Sequence, residues 1–157
     1  MPGLAITVLS SRVPLTFQGT PLGGDPRARL LAPAGQKALD VSECASFSLV
    51  GFDLVGTNAG GMKVDAVDRL IGQDSILSST GGQSGLRLVD IGSGEVTFAG
   101  MTISGSSQAG VDLDNFSGTF LLSDLDDDDD GDVISITGTG AGFAGIDIVG
   151  SPAGTFT

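Results

Sequence analysis

Apolar and polar residues alternate in short strings that recur along the chain: Leu39-Asp40-Val41, Met62-Lys63-Val64, Leu86-Arg87-Leu88, Val111-Asp112-Leu113 and Ile134-Ser135-Ile136. Their first residues lie 23, 24, 25 and 23 positions apart. A second set follows in step, at Phe52-Asp53-Leu54, Met101-Thr102-Ile103 and Ile146-Asp147-Ile148, with degenerate copies around Ser75-Ile76-Leu77 and at Leu125. A third set of apolar positions falls a few residues earlier, at Leu49, Ile71, Phe98, Leu122 and Phe143. Alternation with period two over three to five residues predicts half-buried strands, and the glycine-containing turns between them leave no room for a helix. Each repeat therefore holds three short strands.

A three-strand repeat of about 24 residues cannot bury its apolar side alone, but stacked copies bury a continuous column. The pattern predicts an all-β parallel solenoid of five to six coils. With neighbouring coils about 4.8 Å apart, Leu39, Met62, Leu86, Val111 and Ile134 form an inner ladder. The outward file beside it reads Asp40, Lys63, Arg87, Asp112 and Ser135, which sets Asp40 against Lys63 and Arg87 against Asp112. Phe47, Phe98, Phe116, Phe120 and Phe143 are expected in the core, and Cys44 is expected as a small buried hydrophobe.

These repeats resemble those of the right-handed parallel β-helix, the pectin-lyase-like superfamily, and especially the glycine-rich repeat proteins of bacterial surfaces. The opening Ile6-Thr7-Val8 and Pro14-Leu15-Thr16-Phe17-Gln18-Gly19 resembles the first coil of such proteins. The resemblance runs from about Ala5 to Phe156. It implies a fold that hosts lyases, hydrolases, adhesins and inert stalks, so the activity must be argued from sites. One domain over residues 1–157 is expected. Residues 1–37 would form a first coil and partial cap, with Pro14, Pro21, Pro26, Pro33 and the stretch from Arg27 to Arg29, and residues 38–157 the regular coils. Phe156 falls where the next inner ladder position is expected and no C-terminal cap is evident, so the coils are expected to continue in a longer chain or to associate with other copies.

Composition narrows the chemistry. The 157 residues include 26 glycines and one cysteine but no histidine, tryptophan or tyrosine. Without histidine there is no Ser-His-Asp or Cys-His machinery and no imidazole metal site. A net charge of −12 disfavours nucleic acid and anionic membranes. All seven bases lie between Arg12 and Arg87, among seven acids, while twelve acids follow Arg87 with no base. Neither a signal peptide nor a membrane span is apparent, and an extracellular or surface location follows from the resemblance alone.

The acidic run from Asp124 to Asp132 is the main candidate site. Asp126, Asp128 and Asp130 alternate ahead of Gly131, like the start of a calcium loop, and Asp132 completes the candidate set. A twelve-residue loop beginning at Asp126 would end on a bidentate acid at position 137, where Thr137 stands. Asp65, Asp90 and Asp114 recur three or four residues after the first residue of each ladder string, and stacked carboxylates of that kind serve acid-base work on sugars. Aspartate is equally a favoured turn residue at such positions. Lyase chemistry would need Lys63 or Arg87 beside a calcium site, whereas the acidic run lies one or two coils away. Sugar-binding grooves commonly use tryptophan or tyrosine platforms, which this chain lacks. The sequence thus predicts a structural or adhesive module, without catalytic residues or cofactor beyond possible calcium, whose main partner is another copy or further coils. A polysaccharide-active lyase or hydrolase is the alternative.

Overall fold

The computed structural model describes residues 6–11, 13–20, 27–80, 83–92, 94–122, 135–137, 145–149 and 155–156. The chain is all-β and winds as a parallel solenoid of about four turns. One face is a six-stranded sheet of β1 (Ile6–Ser11), β4 (Leu39–Cys44), β7 (Met62–Asp65), β9 (Leu86–Val89), β11 (Val111–Asp114) and β14 (Ile146–Val149), in that spatial order. The second face stacks β2 (Leu15–Gln18), β5 (Phe47–Val50), the first half of β8 (Arg69–Thr80), the first half of β10 (Glu95–Ser104), β12 (Thr119–Leu122) and β15 (Thr155–Phe156). The third face stacks β3 (Ala28–Leu31), β6 (Phe52–Thr57), the second halves of β8 and β10, and β13 (Ser135–Thr137).

Two kinds of bend separate the faces. Between the second and third, the chain turns at a residue of positive φ: Gly51 (68°), Asp74 (43°) and Gly100 (55°) occupy equivalent positions in successive coils. Glycine takes this left-handed region without the steric cost that a Cβ brings, and aspartate is among the few other residues that visit it readily. Between the first and second faces the equivalent positions are Glu43, Ala66, Asp90 and Asn115, with φ of 51° to 55°.

Strand pairing follows the pleat. Ile6, Leu39, Met62, Leu86, Val111 and Ile146 share one register position, and the four from Leu39 to Val111 are at most 1% exposed. Leu15, Phe47, Leu70, Val96, Phe120 and Phe156 share another. Inward side chains alternate with partly exposed ones along β7 and β11 and the first part of β4, as period-two burial requires. Phe47, Phe98, Phe116 and Phe120 are buried. Edge-to-face contacts join Phe17 to Phe47, Phe98 to Phe120 and Phe116 to Phe120, with centroids 5.2, 5.6 and 6.2 Å apart. Cys44 is buried and reduced, its Sγ 3.3 Å from the Ser42 carbonyl oxygen. Phe143 and Leu125 lie outside the described residues.

Four expectations need correction. The fifth member of the first ladder is Ile146, not Ile134: Val111 pairs with Ile146, while Ser135-Ile136-Thr137 pairs with Thr102-Ile103-Ser104 on the third face. The Ile146-Asp147-Ile148 string therefore belongs to the first set, and the Ile134-Ser135-Ile136 string to the second. The cause is an insertion. Residues 99–101 connect the second-face and third-face segments of β10, whereas 123–134 connect the corresponding β12 and β13, so the acidic run displaces everything after it in sequence but not in space. The count of about four turns falls slightly short of the five to six coils expected.

The third apolar file is likewise offset by one. Leu49 and Phe98 align with Gly72, not with Ile71, which is only partly buried. A Cβ at Gly72 would lie 2.6 Å from Phe98 Cδ1 and 3.1 Å from Met101 Sδ. The ring of the next coil takes the space that an inward side chain would have filled. The degenerate copy at Ser75 has a similar local explanation. Ser75 occupies a fully buried position, where its hydroxyl donates to the Gln73 carbonyl at 2.7 Å and accepts from the Phe52 amide at 3.1 Å. A polar group sits there at little cost because both its hydrogen-bonding roles are met beside the bend.

Candidate functional site

One register position of the first sheet carries a file of polar and charged residues. Thr7, Asp40, Lys63, Arg87, Asp112 and Asp147 share one register position, so Asp147 stands where the sequence spacing had placed Ser135. Arg87 meets Asp112 (Nε to Oδ2, 3.3 Å), as expected from the charge pattern, and also reaches Asp114 (Nη2 to Oδ2, 3.1 Å). The expected Asp40–Lys63 pair does not form. Lys63 turns along its own strand to Asp65, with Nζ 2.7 Å from Oδ2. Same-strand neighbours two residues apart project to the same face, which makes this contact available without reaching across to the next coil.

Asp65, Asp90 and Asp114 are not stacked neighbours. Asp65 and Asp114 occupy one register position but flank Val89, which places them two coil rises apart, about 10 Å. Asp90 lies one residue further on, in the left-handed bend, and its Oδ1 accepts a hydrogen bond from Asn115 Nδ2 at 2.6 Å. Lys63 neutralises Asp65 and Arg87 neutralises Asp114. Each acid is thus spent on a turn or an ion pair.

The corner where the third face returns to the first is more open. A cavity of about 180 Å³ is lined by Lys37, Met62, Gln83, Ser84, Arg87, Gln108 and Asp112. A second, of about 290 Å³, is lined by Thr7, Gly35, Gln36, Lys37 and Asp40. Lys37 contributes to both, so the two hollows follow one another along the solenoid axis. Register explains the chemistry: Gln83 and Gln108 occupy equivalent positions before β9 and β11, and Gly60, Ser84 and Ala109 lie side by side one step later. Short side chains there leave a trough, with the amides on one side and the charged file on the other. Sequence reading missed this trough because its residues come from separate coils and form no local motif.

Asp126, Asp128, Asp130 and Asp132, the candidate calcium ligands, lie outside the described residues. Among the described residues no group of three or more potential metal ligands converges, and no helix is long and apolar enough to cross a membrane.

No family model matches the chain, and neither a curated protein nor a solved structure is significantly similar to it.

Proposed function

We propose that the chain is a structural or adhesive β-solenoid module of a secreted or surface protein, joined along its axis to further coils or to another copy. The observation that carries this reading is how the outer surface is used. Arg27–Asp74, Arg29–Asp53, Arg69–Glu95 and Arg87–Asp112 each bind one coil to another. Such exposed pairs add little stability singly, about 0.2–1 kcal/mol, but they penalise shifted registers. The charge also has a direction along the axis. Residues 6–37 carry Arg12, Arg27, Arg29 and Lys37 against Asp25, whereas no base follows Arg87. Opposite ends of such a rod attract, which favours head-to-tail over head-to-head contact. Sedimentation velocity tests this reading: mass should rise with protein concentration and fall with added salt, and a concentration-independent monomer would contradict axial association.

The corner trough supports a second reading, a carbohydrate-binding or polysaccharide-active β-helix. Its glutamines and charged groups suit hydroxyl-rich chains, and a coil rise of about 4.8 Å is close to the length of one sugar unit. Titration with neutral and uronic oligosaccharides, followed through shifts of the Gln83 and Gln108 side-chain amide resonances, decides it. Saturable shifts support binding, and turnover of the titrant would support an enzyme.

A further inference from the structure

Asn115, Phe116 and Ser117 form an Asn-x-Ser triplet with no proline at its centre, and the fold presents it in a form suited to modification. Asn115 lies in the bend between the first and second faces, with φ of 55°, and is exposed. Ser117 is exposed as well, while Phe116 between them is fully buried and packs edge-on against Phe120. The aromatic ring pins the bend to the core and leaves the two polar members of the triplet on the outside.

We propose that Asn115 is an acceptor for N-linked glycosylation when the chain enters a eukaryotic secretory compartment. The donor is a lipid-diphosphate-linked oligosaccharide. Asn115 Nδ2 forms a bond to the sugar C1 as the bond from C1 to the diphosphate oxygen breaks. The lipid diphosphate leaves with that electron pair, and one amide proton passes to a carboxylate base of the transferase. The product keeps its second amide N–H, a donor for Asp90 Oδ1, which lies 2.6 Å from Nδ2 in the unmodified chain. The glycan leaves from an outer corner, clear of the backbone ladders that join the coils. Asn58, the other asparagine, also has a positive φ and is exposed, but Ala59 and Gly60 follow it and give no triplet.

The test is translation of the full chain, behind a cleavable secretion signal, in the presence of microsomes. This arrangement does not depend on where the chain resides in its own cell, so its outcome is separate from that of the structural reading above. The protease-protected chain should show a single step of reduced mobility, reversed by a glycan-releasing amidase that leaves aspartate at position 115. Ser117→Ala keeps the Asn115–Asp90 contact and should abolish the step, while Ser117→Thr should retain it. A protected chain of unmodified mobility, or a step that persists in Ser117→Ala, overturns the proposal.

Discussion

Arg27 grips Asp74 across an intervening coil. Its Nη2 lies 2.5 Å from Asp74 Oδ1 and its Nε donates to the Asp74 carbonyl oxygen at 3.0 Å. Between them in register stands Gly51, whose carbonyl accepts from the Ala28 amide and whose amide donates to the Gln73 carbonyl. The guanidinium thus reaches past the Gly51 position and ties the first coil directly to the third.

That clasp separates two effects at one residue. Asp74 has a φ of 43°, a conformation that costs most residues with a Cβ about 1–2 kcal/mol. Asp74→Gly loses the carboxylate but relieves the bend, and should change stability by less than about 0.5 kcal/mol. Asp74→Ala loses the carboxylate and keeps the strain, and should cost about 1–2 kcal/mol. Urea unfolding of both variants checks this; equal losses would show that the bend is not strained.

Gly72 should tolerate no side chain while Phe98 is present. Gly72→Ala brings a Cβ to within 2.6 Å of the Phe98 ring, and overpacking of this kind costs about 1–3 kcal/mol. Adding Phe98→Leu should recover part of that loss. Strict additivity in a double-mutant cycle would place the ring elsewhere.

The inner ladder and the outer file should differ by severalfold. Leu86→Ala, at a fully buried position, should cost about 2–5 kcal/mol. Arg87→Ala next to it, at an exposed ion pair, should cost no more than about 1 kcal/mol. Comparable losses would mean that the alternation of faces is wrong here.

The acidic run gives a calcium test. If Asp126, Asp128, Asp130 and Asp132 hold the ion, calcium should raise the melting temperature more than sodium chloride of equal ionic strength. The Asp128→Asn/Asp130→Asn double variant should remove the excess. Equal effects of the two salts would assign the gain to screening of the net charge of −12 alone.

Much of the architecture was legible because Leu39, Met62, Leu86 and Val111 repeat at nearly constant spacing, and buried alternation has few structural solutions. Errors arose where spacing and space part company. The residues between Leu122 and Ser135 add length without adding a coil, so counting passed the ladder from Val111 to Ile134 when the fold passes it to Ile146. At Gly72 the inward position is empty of side chain, and the neighbouring Ile71 attracted the apolar assignment. The bend file Glu43, Ala66, Asp90 and Asn115 gave little sign of itself, since glutamate and alanine rarely mark a left-handed turn. Lys63 chose Asp65 over Asp40 for reasons of side-chain reach that a one-dimensional charge pattern does not contain. The trough beside Lys37, Gln83 and Gln108 needed the register of several coils before it existed at all.

The register of the last ladder is the most direct test of the parallel stacking on which all of this rests. In a Cys44→Ser background, cysteine pairs are placed at 112 with 147 and, separately, at 112 with 135. Residues opposite one another on adjacent strands fall within the Cα separation of about 4.4–6.8 Å that a disulfide spans. Oxidation followed by peptide mapping should show the 112–147 bridge and no 112–135 bridge. A 112–135 bridge with no 112–147 bridge would contradict the account, because it would return the acidic run to an ordinary coil and undo the order of the solenoid beyond Asp114.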